Sequence, residues 1–399
     1  MFDLTPSPST LQVLSELIAF ETVTRRSNLE LIDWAEERLR RLGARVIRDF
    51  NDDRTRANLF ATLGEGPGGW AFSGHSDVVP VEGQDWSSDP FRAEIRDGRV
   101  YGRGACDMKG FIAVVMAQAE HWPAMNLSVP VHIALTYDEE SGCLGVPGLI
   151  RALHAHGVRP DACVVGEPTR MQVVTAHKGG RVYRCRVHGH AAHSSLTPRG
   201  VNAIEYAARL IAFIQDLSWR EQAGGLRDER YPVPFTTIST NTIEGGNGRN
   251  IVPASCEFYF DYRYLPGVPA GKLIDLIQAH AREHLEPQMK RVAPEARFEF
   301  ECTGDIPALS AAETQDVTRI TQALSRGRPL GAVAFGTEAG FFQRAGIPAV
   351  LCGPGDIEQA HRPDEYVELS QLHSCEQFVA GLVERCCAPA AVRSFNHHS

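Results

Sequence analysis

The chain repeatedly runs an apolar, strand-like segment into an acid or a histidine, which restricts it to folds that gather strand ends. A-F-S-G-H-S-D-V-V carries His75 and Asp77, I-A-L-T-Y-D-E-E-S-G carries Glu139 and Glu140, and A-C-V-V-G-E-P-T carries Glu167. Asp107 lies in Y-G-R-G-A-C-D-M-K-G and His361 in G-P-G-D-I-E-Q-A-H-R-P-D-E-Y. Acids collected where strands meet loops repel one another unless cations sit among them. Neutral imidazoles among carboxylates suit zinc or a similar borderline divalent ion.

Around these positions the pattern alternates. Strands are expected near 57–63, 70–73, 130–137 and 162–166, with helices near 109–121 and 145–156. The first helix begins near Ser9 with Leu11, Leu14, Leu17 and Ile18 on one face. The second opens on a capping box of Ser27 and Glu30 and closes at Gly43. Such alternation predicts an α/β domain with a mostly parallel central sheet and helices on both faces.

After Lys178 the style changes, because Arg181 to Val187 alternates polar and apolar residues like a strand with one face in water. A helix is expected near 201–214, strands near 236–243 and 254–264, a helix near 269–285 and a strand near 296–302. That order describes a small α+β unit with a split βαβ, ferredoxin-like arrangement. The α/β style then returns, with strands near 332–335 and 348–351 and a helix near 370–385. The expected organisation is a discontinuous catalytic domain, 1–179 and 309–399, interrupted by a lid or dimerisation domain at 180–308.

Bulk properties narrow the function. A chain of 399 residues is long for one core. Its net charge is −9 and it holds no Lys/Arg-rich run, which argues against nucleic acid. Its apolar stretches fall far short of a membrane span. The start lacks the basic and apolar regions of a secretory leader, and the ten cysteines contain no CxxC pair. Together these predict a reduced, cytoplasmic protein. G-E-G-P-G-G at 64–69 matches the dinucleotide fingerprint formally, but a strand rather than a helix follows it, so a hairpin loop is expected.

Each candidate residue has an alternative duty. His75 and Asp77 point to one side of an extended segment, as a metal-bound imidazole and the acid that orients it would, or as an ordinary strand-end pair. Asp107 can give one oxygen to each of two ions, or cap the following helix. Glu139 and Glu140 face different ways, so one can hold metal while the other serves as a general base. Residue physics does not say which is which. A solvated acidic turn is the alternative.

Taken together, G-H-S-D, Y-G-R-G-A-C-D-M-K-G, D-E-E-S-G, G-E-P-T and A-H-R-P-D-E-Y resemble the M20 family of di-zinc amidohydrolases and peptidases. The later segments T-A-H-K-G, G-H-A-A-H-S-S, F-G-T-E-A and C-G-P-G-D resemble its acetylornithine deacetylase branch. The resemblance implies two divalent ions per subunit, zinc or cobalt. It puts His75, Asp107 and Glu167 on one ion, with Asp107 bridging to a second ion held by Glu140 and His361. Glu139 becomes the general base and Asp77 stands behind His75.

The resemblance further implies a homodimer through the inserted domain, with His193 supplied to the neighbouring site and His190 competing for that position. It implies Asn250 and Arg263 on the substrate carboxylate; a pair with Asp261 is the alternative for Arg263. Thr337 and Glu338, in G-T-E-A, are expected at the substrate, with Glu338 on a side-chain ammonium. The implied reaction is metal-dependent hydrolysis of an acylated amino acid. Sister amidohydrolases and a metal-stabilised, non-catalytic binding protein are the competing expectations.

Overall fold

The computed structural model describes residues 5–387; the first four residues of the stretch read against a leader lie outside them. Contacts divide the chain into two units, Met1–Thr175 with Ala311–Gly331 and Phe341–Ser399, and Ala176–Ser310 with Ala332–Gly340. Among the described residues no helix is long and apolar enough to cross a membrane. All ten cysteines are free thiols.

The first unit is built on a mixed sheet whose centre is parallel. Strands Val131–Thr136, Trp70–His75, Ala162–Pro168 and Ala349–Gly353 lie side by side in that order, all parallel. Antiparallel neighbours flank them: Ala57–Leu63 and Arg45–Phe50 on one side, Val174–His177 on the other. Every residue of 57–63, 131–136, 162–168 and 349–353 is buried. Side chains alternate across a strand, so a wholly buried strand needs cover on both faces. Helices Pro8–Ala19, Leu29–Arg41, Lys109–Ala119, Asp316–Leu324 and Leu369–Arg385 share one core with Leu59, Ala61, Phe72, Ile133 and Val164. The alternate residues Phe60, Ala71, Cys163 and Val165 are equally buried but outside that core.

One expected cap takes another form. The Leu29–Arg41 helix has Asn28 at its N-cap with no side-chain capping bond. The Asn28 amide instead bonds the Ala57 backbone in both directions at 2.9 Å and reaches Ser76 Oγ at 2.9 Å. A buried amide that can satisfy a strand's backbone outranks an exposed cap, because unmet polar groups cost most where water is absent. Gly43 does close the helix, with a φ of +84°.

The second unit is a four-stranded antiparallel sheet ordered Thr237–Gly245, Ser255–Tyr264, Gly179–His188, Arg297–Ile306. Helices Ala203–Gly224 and Lys272–His280 supply its apolar cover through Leu210, Ile214, Leu273 and Ile277 against Cys185, Val187, Phe258 and Phe260. Burial of 255–264 alternates along the strand, as a sheet with one dry face requires. Each of those phenylalanines contributes about 2–3 kcal/mol by leaving water. Asn202 starts the longer helix by accepting from the Ile204 and Glu205 amides.

Candidate metal centre

Three parallel strands bring three of the acid-bearing segments together at their carboxyl ends, where open α/β sheets place ligands. His75 ends Trp70–His75 and registers with Thr136, the last residue of the neighbouring strand, so the turn bearing Glu139 and Glu140 begins beside it. Glu167 lies in Ala162–Pro168, the strand on the other side. Gly166 lets this strand pass the helix that follows Asp107, since a Cβ there would meet the Phe111 ring at 1.9 Å. Asp107 precedes that helix, and His361 sits in a loop with φ +63°.

The side chains form two overlapping groups, His75–Asp107–Glu167 and Asp107–Glu140–His361, each with its ligand atoms within 4.8 Å of one another. Asp107 divides between them. Its Oδ1 stands 3.0 Å from His75 Nε2 and its Oδ2 3.3 Å from His361 Nε2. His361 Nε2 is also 3.0 Å from Glu140 Oε2. Two donors held about 2.0–2.1 Å from one tetrahedral ion stand about 3.3 Å apart. The two imidazoles and three carboxylates therefore offer the donor chemistry and spacing of a pair of borderline divalent ions.

Charge makes the same point. Desolvation opposes a charge on His75, which is 1% exposed, but the bond and charge of Asp107, then Glu139 and Asp77, raise its pKa well above the ordinary imidazole value. Desolvation also opposes the Asp107 charge, yet its bonds from His361 and His75 hold it below the usual carboxylate range. Bonds to Asp107 and Glu140 push His361 up to about 10. Desolvation and then Glu167 raise Glu139 well above its usual value, and desolvation and Asp107 raise Glu140. Glu139 and Glu140 thus hold their protons more tightly than ordinary carboxylates, while Asp107 holds its own less tightly.

Asp77 works differently from the simplest expectation. His75 Nδ1 bonds the Asp77 backbone carbonyl at 2.9 Å, while the carboxylate is 3.6 Å away. That carboxylate accepts instead from the backbone amides of Glu139 at 3.1 Å and Glu140 at 3.3 Å. Asp77 thus fixes the turn carrying the paired glutamates. The Cys143 thiol donates to Glu139 Oε1 at 3.4 Å, which leaves Oε2 as the oxygen outside that bond.

The remaining candidates lie in the second unit. His193 is exposed and bonds Ser195 through Nδ1 at 2.8 Å; Asn250 adjoins it, its carbonyl accepting from Ser194 N. His190 faces Glu295 at 3.1 Å. Arg263 Nε pairs with Asp261 at 3.1 Å, the alternative weighed for it. Thr337 and Glu338 are buried, and Thr337 Oγ1 accepts from Ala339 N.

Sequence reading passed over Arg103 and Glu365, a buried pair 2.6 Å apart that lies behind Asp107. The available signal was their spacing, each four residues from a candidate ligand within a segment already singled out. It also passed over Asp138, buried beside the paired glutamates, which accepts from Arg25 N at 2.6 Å and pairs with Arg56.

Comparison with known proteins agrees with this geometry. Residues 71–385 match the profile of Peptidase family M20/M25/M40. The chain is 35% identical over 391 residues to an acetylornithine deacetylase of Myxococcus xanthus, covering 95% of this chain and 98% of that one. It is 33% identical over 387 residues to an acetylornithine deacetylase of Pasteurella multocida, with the same coverage. The solved aminopeptidase PepT of Bacillus cereus superposes with a TM-score of 0.71 at 20% identity, over 96% of this chain and 99% of that one. The chain is a hydrolase of amide bonds and belongs to Peptidase family M20/M25/M40.

Proposed function

We propose that this protein is an acetylornithine deacetylase, hydrolysing the amide of N2-acetyl-L-ornithine to acetate and L-ornithine. The observation that carries the reading is the pair of ligand groups sharing Asp107, with Glu139 set against them. The names of relatives at 33–35% identity supply the substrate.

In this reading His75, Asp107 and Glu167 hold one divalent ion, and Asp107, Glu140 and His361 hold the second. Zinc fits the donor set and cobalt can replace it. When bound, the ions supply Lewis acidity at the acyl oxygen and lower the pKa of water. The chain supplies proton handling and orientation. Glu139 Oε2 takes the proton of the attacking water and returns it to the departing amine nitrogen; Oε1 stays with the Cys143 thiol. Asp77 keeps Glu139 and Glu140 in place through their amides. His193 donates to the developing oxyanion in a homodimer, worth about 2–4 kcal/mol. Asn250 and Arg263 receive the substrate carboxylate, with Thr337 beside Glu338, which meets the side-chain ammonium.

The test is acyl release from acetyl, succinyl and formyl amino acids. Acetylornithine should give the highest kcat/KM; a preference for succinyl-diaminopimelate, acetylcitrulline or neutral acetylamino acids would reassign the chain within its family. Glu338→Ala should raise KM for acetylornithine by about tenfold or more, and barely change KM for neutral acetylamino acids, because a charged partner is worth about 1.5–3 kcal/mol. Equal effects on both would remove Glu338 from the pocket.

A further inference from the structure

Asp107 and His361 come from distant parts of the chain, and something must fix both loops at once. The Arg103–Glu365 pair is built to do this. Both side chains are 1% exposed and they meet through Nη1 and Oε2 at 2.6 Å. Glu365 spends its other oxygen on the loop of the shared acid: Oε1 accepts from Cys106 N at 2.9 Å and Asp107 N at 3.0 Å. Two further Arg103 bonds lead to the loop of the histidine, one directly and one through Gln84. Nη1 reaches the Arg362 carbonyl at 3.3 Å, and Nη2 holds the Gln84 side-chain oxygen. Gln84 in turn donates to the His361 carbonyl at 3.0 Å, and the Trp86 ring lies 4.9 Å from the guanidinium carbon. A planar fork with five donors can serve these directions together, which a lysine cannot.

We propose that Arg103, Glu365 and Gln84 are positioning residues that set the seat formed by Asp107, Glu140 and His361 for its divalent ion. The inference rests on the two-ion reading. The clamp touches no candidate ligand side chain; it fixes ligand backbones. Asp107 is anchored on both sides, by Glu365 at its amide and by His75 at its carboxylate. His361 Nε2 meets Asp107 and Glu140, which belong to the same seat; with φ +63° and half-exposed side-chain atoms, its backbone is placed from outside that seat by Gln84. Loss of the clamp therefore weakens the His361 seat more than the His75 seat.

The experiment is a cobalt(II) titration of metal-stripped full-length protein, followed by visible absorbance and calorimetry. Wild type should bind two ions. Arg103→Lys should bind one ion with about 10–100-fold lower affinity, the usual cost of losing an outer-shell partner, and the other near wild type. Arg103→Lys leaves the Glu365 carboxylate only partly matched and can compromise folding, so Gln84→Ala, at a half-buried position outside that ion pair, repeats the test with a smaller change in the same ion. Two ions bound at wild-type affinities in Gln84→Ala, or equal weakening of both ions in either variant, overturns the clamp. A wild type that binds fewer than two ions overturns the two-ion reading itself and the clamp with it.

Discussion

His75 and His177 each end a strand of the same mixed sheet and behave oppositely. Each is 1% exposed or less, and each bonds a backbone carbonyl through Nδ1, of Asp77 at 2.9 Å and of Lys178 at 3.0 Å. They differ at Nε2. That of His75 meets Asp107 at 3.0 Å; that of His177 has no hydrogen-bond partner. The acids around His75 overcome desolvation and raise its pKa well above normal, whereas desolvation alone takes His177 down to about 4. Strand-end position and burial do not make a ligand. A surplus of carboxylates does, because it turns an interior that rejects positive charge into one that demands it.

The largest expected effect asks how the acids around His75 divide their work. Glu139→Ala should keep two ions and lose turnover by about 10²–10⁴-fold, the usual size of general acid–base help. Glu140→Ala should lose an ion. Metal content and single-turnover rates, measured on the same preparations, separate the two. Reversed outcomes would exchange the glutamates' roles while leaving the contrast with His177 intact.

Much of the region around His75 was legible in the chain, and the reason is local. Apolar runs such as Ala162–Val165 and Val131–Thr136 are long enough to be buried strands, and their acids stand at or just past their ends. Three further features were not legible because each depends on a partner far away in sequence. The N-cap falls on Asn28, bonded to Ala57, rather than on the expected Ser27–Glu30 box, and Glu365 serves the amide of Asp107. Ala332–Gly340, expected with the returning α/β segment, groups with the second unit. The second unit's sheet announced itself by alternation. The cost of His177 did not, since a histidine ending T-A-H reads like any other until its neighbours are known.

Removing metal should collapse the contrast at its source. Ions that bind only the folded state stabilise it by about 4 kcal/mol each at a thousandfold excess over Kd. Chelation should therefore lower the Tm of wild type substantially, and cobalt(II) or zinc should restore it. Because Glu139, Glu140 and His75 hold protons more tightly than usual without cations, loading should also release protons. Calorimetry in two buffers of different ionisation enthalpy would detect that release. His177→Gln should change neither the ion count nor the release. Loading without proton release would mean that the acids around His75 are ordinary, and the comparison would fail.

The smallest effect belongs to His177 and runs on pH. Its folded-state pKa of about 4 lies below the unfolded value of about 6.5, so as pH falls the unfolded chain takes up this proton first. The stability associated with neutral His177 is complete above pH 6.5 and is lost as pH falls towards 4, by about 3 kcal/mol across that window. Other groups titrate in the same range, so the useful quantity is a difference. Wild type minus His177→Gln, from denaturant unfolding of metal-free protein at pH 7, 5.5 and 4, should decline along this curve while the remaining titrations cancel. A difference that stays level would mean that His177 is protonated inside the fold, and burial without acids would then be no barrier to charge in this protein.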